Sequence, residues 1–262
     1  MIDLELKKYI EENIFPKYSK NDLGHALDHI KYVLNRSLKF AQGINDININ
    51  MVYVIAAYHD IGHYIDKDRH EEISGLMLSQ DENLKKWFND EEIKIMMEAV
   101  IDHRASLEYE PRSIYGKIVS SADRSLKIDD SLKRTYAYRT KDINKYCLTE
   151  IIKGSKEHLI DKFGKEGYAN EKMYFDDIEY KQFLDGITKL VQNEDLFIKK
   201  YIEVNNIDKN LYRIIFENVK KNNPNMLLEE LLYETYIRTR INENDKFDEY
   251  RDLILEVNDI SI

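Results

Sequence analysis

Breakers are scarce in this chain: three prolines and nine glycines in 262 residues. Long stretches are therefore free to be helical, which favours an all-α fold with short loops. There is one cysteine, Cys147. It excludes an internal disulfide framework, suits a reducing compartment, and reads as a small core residue. No apolar run comes near the roughly 20 residues that cross a bilayer. The longest, Met51 to Tyr58, falls far short. The first residues, Met1 to Ile14, are charged throughout and lack the apolar core of a signal peptide. These absences point to a cytoplasmic protein with no membrane partner. Positive charge is also in deficit, 39 Lys and Arg against 49 Asp and Glu, a formal net charge of −10. Such a chain has no general attraction for nucleic acid or anionic membranes, although a local basic patch can still bind phosphate. No Gly-rich phosphate loop is present, since Gly24, Gly43 and Gly62 are isolated, and no serine sits in a nucleophile elbow.

What is present is a succession of amphipathic segments. Leu4, Ile10, Ile14 and Phe15 give the first a helical face, ended by Pro16. A turn-forming cluster, Ser19 to Gly24, follows. A long helix then opens at His25, with Ile30, Val33, Leu34, Leu38 and Phe40 in period, and closes at Gly43. Further helices are expected from the apolar run to His63, over His70 to Leu78, over Glu91 to His103 and over Ile114 to Ala122. Helical patterns continue over Ile128 to Lys162 and Asp176 to Tyr201, with a break over Phe163 to Met173. The tail splits near Pro224 and near Asn242 to Asp245. Residues 1–202 read as one helical domain, and 203–262 as a C-terminal helical extension that packs on it or serves self-association, such as a homodimer.

Chemistry concentrates where the apolar run Val54 to Tyr58 ends in His59-Asp60, with His63 close behind. A helix apolar on most sides is buried, so His59 and Asp60 are delivered inside. Burying an imidazole and an ionised carboxylate without partners is costly, and a bound cation removes that cost. His25 and His29, four residues apart on one helix face, can look toward the same place. Asp123 ends another apolar segment. His29, His59, Asp60 and Asp123 thus form a plausible ligand set that only a folded bundle can assemble.

The strings His25-Ala26-Leu27-Asp28-His29-Ile30, His59-Asp60-Ile61-Gly62 and Ser121-Ala122-Asp123-Arg124 carry a resemblance. In that order they resemble the HD-domain superfamily of metal-dependent phosphohydrolases, over roughly residues 20 to 200. The resemblance implies an HD-type helical bundle with additional C-terminal helices, holding one or two divalent ions (Mn, Fe, Mg, Ni, Co or Zn). It implies that His29, His59, Asp60 and Asp123 are ligands. By likeness to two-metal members, His70 and His103 hold a second ion and Asp60 bridges; otherwise they bind substrate phosphate or orient the other ligands. Asp60 and His63 are the catalytic candidates, and His25 supports the ligands from behind. Arg69, Arg104, Lys133, Arg134 and Arg139 are candidate contacts for substrate phosphate, and Asp28, Asp66 and Asp102 possible acids. His158 reads as an ordinary surface or core histidine. The segment after His103 lacks the second His and the Gly-Tyr-Pro run of the cyclic-dinucleotide phosphodiesterase branch. The stretch after Asp60 lacks the Glu-Asp pair of guanosine tetraphosphate hydrolases. The implied activity is hydrolysis of a nucleotide or another small phosphorylated metabolite. The same scaffold also resembles di-iron oxygenases, and a non-catalytic metal- or ligand-binding module is a third possibility.

Overall fold

The computed structural model describes residues 1–21 and 25–260. Among them there are helices and no strand, as the shortage of breakers implies. No helix among them is long and apolar enough to cross a membrane. The turn cluster expected over 19–24 is seen as far as Asn21; Asp22, Leu23 and Gly24 lie outside the described residues.

The chain forms two compact units. The first comprises residues 1–124 and 171–177, the second 125–170 and 178–262. This division differs from the expected one at residue 202. No linker composition marks the crossing at Arg124-Ser125, and residues 203 and 204 still belong to a helix begun at Glu194.

In the first unit, α1 (Leu4–Asn13) starts at Asp3, whose side chain accepts from the backbone N–H groups of Glu5 and Leu6. A 3-10 turn, Phe15–Lys20, leads toward α2 (Leu27–Ala41). Then comes α3 (Ile49–Tyr58), capped by Asn48 and buried on every side from Met51 to Tyr58. It ends at Tyr58, and the residues through His63 form turns rather than the expected continuous helix. Next are α4 (His70–Ser79), α5 (Asp90–Ile101) and α6 (Ile114–Ala122). Asn89 and Glu92 form a reciprocal capping box on α5, and Ser113 caps α6. Helices α2, α4, α5 and α6 surround α3, whose Val54, Ala56 and Ala57 are fully buried. The returning segment 171–177 is fastened here: Phe175 stacks on Phe40 at 4.9 Å and Asp177 pairs with the buried Arg36.

The second unit contains α7 (Ile128–Arg139), α8 (Leu148–Phe163), the one-turn α9 (Tyr168–Glu171) at its edge, α10 (Ile178–Gln192) and α11 (Glu194–Val204). It closes with α12 (Asn210–Asn222), α13 (Leu228–Thr239) and α14 (Phe247–Val257). The single helix expected over 128–162 is two, interrupted where Tyr146 and Cys147 are extended. The end of α13 is fixed to that interruption. Thr149 Oγ1 donates to Arg240 O at 2.8 Å, and Arg238 Nη1 donates to Asn144 O at 3.1 Å. Cys147 is partly buried, with Sγ 3.8 Å from Ile237 O. The last helices therefore belong to the same packed body as α7 and α8.

Candidate metal centre

The end of α3 sets the site. A helix terminus leaves carbonyls without partners, and here side chains supply them. His59 Nδ1 faces Ala56 O at 2.9 Å, Tyr18 Oη donates to Ala57 O at 2.8 Å, and Asn21 Nδ2 donates to Asp60 O at 3.0 Å. The turn that follows lies flat on α4, because Gly62 carries no side chain. A Cβ there would stand 2.7 Å from Ile73 Cγ2 and 2.9 Å from Ser74 N. Gly62 N instead donates to Ser74 Oγ at 2.9 Å. That close approach brings His70, the first residue of α4, opposite Asp60. His103 follows the last turn of α5, His29 lies in the first turn of α2, and Asp123 is the residue that ends α6.

The six side chains converge around Asp60. Its Oδ2 lies 3.2 Å from His59 Nε2 and 3.4 Å from His29 Nε2. Its Oδ1 lies 3.2 Å from His70 Nε2 and 3.5 Å from His103 Nε2. Asp123 Oδ1 is 3.2 Å from His29 Nε2. The Nε2 atoms of His29 and His59 are 3.4 Å apart, and so are those of His70 and His103. Two donor groups result: His29, His59 and Asp123, and Asp60, His70 and His103, each with its atoms within 4.8 Å of one another.

Three of the rings are locked in the same way. The Nδ1 atoms of His59, His70 and His103 each face the carbonyl three residues back, Ala56, Lys67 and Val100, at 2.9, 2.9 and 2.6 Å. A carbonyl only accepts, so Nδ1 carries a ring proton and Nε2 is left as the nitrogen turned toward the cluster. Nε2 atoms thus face one another, and all of them face a carboxylate. Asp60 is 1% exposed, and its Oδ1 has no hydrogen-bond donor among the described residues. Such an arrangement is repulsive unless positive charge sits between the atoms. Donors bound to one divalent ion at roughly 2.0–2.2 Å lie about 3.0–3.5 Å apart, which is the spacing found here. The residues present therefore fit two divalent ions, with Asp60 shared.

Without an ion, protons bear that load. Burial opposes charge on His29, but hydrogen bonds to Asp123 and Asp60 prevail and raise it to about 10. Burial likewise opposes charge on Asp60, yet His59, His103 and His29 hold it well below the usual carboxylate range. Asp123 is lowered by His29 against its own burial.

The remaining candidates are distributed around this cluster. His63 is buried; its ring stacks on His25 at 3.7 Å and meets the edge of His70 at 5.4 Å. His25 also lies edge-on to His29 at 5.9 Å. Arg104 Nη1 donates to Glu71 Oε1 at 2.9 Å, and Glu71 Oε2 lies 3.4 Å from His70 Nδ1. Arg69 is 70% exposed and pairs with Glu72 at 2.8 Å. Lys133, Arg134 and Arg139 belong to the second unit, where Arg134 and Arg139 line a cavity with His158. Asp102 is not an available acid. It is fully buried and doubly bonded by Arg112, at 2.7 Å from Nη2 and 2.8 Å from the backbone N–H. Asp66 Oδ1 accepts from Asp68 N, and Asp28 is exposed.

Sequence reasoning passed over Arg36. Its Nε donates to Ala122 O at 3.2 Å and its Nη2 to Ser121 O at 3.4 Å, and the same guanidinium pairs with Asp177. Tyr32 Oη donates to Arg124 O at 3.0 Å. Together they satisfy the carbonyl end of α6 and so fix Asp123 in place. The signal was there: Arg36 lies on the His29–Val33 stripe of α2, and a cation on a buried stripe needs a partner.

Residues 26–127 match the family model described as HD domain. No curated protein and no solved structure matches the chain.

Proposed function

We propose that this chain, whose residues 26–127 match the HD-domain family model, is a metal-dependent phosphohydrolase acting on a nucleotide or another small phosphorylated metabolite. The observation that carries the reading is Asp60, a buried carboxylate whose two oxygens face two separate sets of imidazole nitrogens. His29, His59, Asp123 and Asp60 Oδ2 would hold one divalent ion; His70, His103 and Asp60 Oδ1 would hold the other. Bound ions of this kind make a water nucleophilic near neutral pH and stabilise charge on phosphoryl oxygens.

The chain's own residues do the rest. The locks on Nδ1 keep three Nε2 atoms aimed inward, so the donors need not reorganise. Asp60 ties the two groups into one unit. His63 and His25, stacked at the edge of the cluster, would place their rings beside a phosphoryl or leaving-group oxygen. Arg104, steadied by Glu71 beside His70, adds positive charge on that edge. Arg69, paired with Glu72, stays at the outer margin.

The test is metal analysis of the purified chain joined to a screen of nucleotides, sugar phosphates and a general phosphodiester. Bound metal, with turnover that chelation abolishes and added metal restores, is the expected result. A metal-loaded chain that hydrolyses none of these sinks the reading. The shared carboxylate with four imidazoles also suits two irons, so a di-iron oxygenase is the second reading. Substrate-dependent oxygen uptake by the iron-loaded chain would select it.

A further inference from the structure

The second unit holds a feature that the metal centre does not use. Between α7 and α8 lies a cavity of about 370 Å³, within the size range of small-molecule sites. Its floor is apolar, with Leu159 and Phe163 both buried. Its rim is cationic: Arg134 and Arg139 from α7, His158 and Lys162 from α8. Tyr138, 69% exposed, stands beside them. Among the described residues no carboxylate lines the cavity, in a chain whose net charge is −10.

The helices are fitted to this rim. Arg134 and Tyr138 are four residues apart on α7, as His158 and Lys162 are on α8, so each pair shares a face, and Arg139 reaches the same cavity from the end of α7. Arg139 lies across Gly154 and its Nη2 donates to Gly154 O at 2.6 Å. A Cβ at Gly154 would stand 2.5 Å from Arg139 Nη1. Glycine in the interior of a helix costs about 1 kcal/mol relative to alanine, and here it seats a guanidinium. The rim is crowded with like charge. Burial, and then Lys162 and Arg139, lower the His158 imidazole below its ordinary value, with Asp161 the weaker opposing influence.

We propose that this cavity is a second ligand site, for a phosphorylated organic anion of the nucleoside-phosphate class. Its phosphate meets Arg134, Arg139 and Lys162, and its flat ring lies on Leu159 and Phe163 beside Tyr138. Guanidinium groups recognise phosphate through paired N–H donors, and aromatic walls suit a planar ring. Arg134 and Arg139, expected from the sequence beside the substrate of the histidine cluster, thereby gain a ligand of their own. The site does not depend on the hydrolytic reading.

The experiment must silence the metal centre. Calorimetric titrations of AMP, ADP, GDP and UDP into the Asp60→Ala chain, in chelator, leave only other sites. At least one nucleotide is expected to bind, with adenosine and inorganic phosphate each at least tenfold weaker. The exposed pair Arg134→Ala/Arg139→Ala should weaken that nucleotide at least tenfold, and Arg134→Lys/Arg139→Lys less. Gly154→Ala, which displaces Arg139, should weaken it severalfold, and circular dichroism checks that each variant is folded. No binding of any nucleotide at millimolar concentration overturns the proposal. So does binding that the double alanine variant leaves unchanged, or inorganic phosphate binding as tightly as the nucleotides.

Discussion

The two halves of the histidine cluster use the same donors but are built differently. Around His70 and His103 everything is sealed: their side chains are 10% and 2% exposed, and Asp60 is 2%. Both rings are locked by the carbonyl three residues back. Around His29 and Asp123 the side chains are 15% and 25% exposed. There the fastening is indirect, through Arg36 and Tyr32 holding the carbonyl end of α6. The difference teaches that enclosure and access are divided between the halves. One half is closed and holds its rings locally, while the other joins a buried, locally held His59 to His29 and Asp123, which are partly exposed, and Asp123 depends on tertiary support.

The harshest way to break the comparison is Asp60→Ala, which removes the donor common to both halves. Metal content should fall to near zero and hydrolysis by more than the roughly 10–100-fold typical of losing a supporting residue. Elemental analysis and turnover decide this, and full metal occupancy in the variant would refute a shared carboxylate. Arg36→Met comes next. It removes the buried guanidinium that pairs with Asp177 and donates to the carbonyl end of α6, with an expected cost of about 3–5 kcal/mol in denaturant unfolding. Its metal loss should be confined to the half that contains Asp123. His103→Ala is the opposite probe and should halve metal stoichiometry while the His29 half stays loaded. Equal loss from both halves would erase the distinction drawn here.

A pH titration sharpens the comparison without mutation. In the metal-free chain His29 is raised to about 10, against an ordinary value of about 6.5. Its contribution to stability is therefore full below about pH 6.5 and fades as pH climbs toward about 10. At pH 7 loading the His29 half must expel a proton, so the measured binding enthalpy should vary with buffer. A buffer-independent enthalpy would contradict a protonated His29. The smallest effect belongs to Arg69→Ala, an exposed pair with Glu72. Its denaturant-unfolding midpoint should stay at that of the parent chain, and a clear shift would show the pair to matter.

How much of this was legible in the sequence follows from which residues are chemically out of place. His59 and Asp60 interrupt the most apolar run of the chain, so they announced themselves, and His29 and Asp123 sit at the ends of patterned segments. His70 and His103 had two readings from sequence, because only folding brings both within 3.5 Å of one oxygen. Arg36 and Asp177 were hidden for a different reason. They lie 141 positions apart, and each looks like an ordinary surface charge until the helices pack. Helix existence was legible from periodicity, whereas two interruptions were not. Asn193 accepts from Leu196 N to start α11, a polar cap inside what read as one continuous segment. The crossing at Arg124-Ser125 was illegible because no proline- or glycine-rich linker accompanies it, whereas the return at 171 falls within the break read over Phe163 to Met173.

That division has one more consequence. The polypeptide leaves the histidine-bearing body after Arg124, travels through its neighbour, and comes back for seven residues before departing again. Those seven include Asp177, which pairs with Arg36, so the histidine-bearing body is not a segment any single cut can release. A protease nicking the chain just beyond Arg124 would separate that body from its own last piece in sequence while the Arg36–Asp177 pair still joins the two.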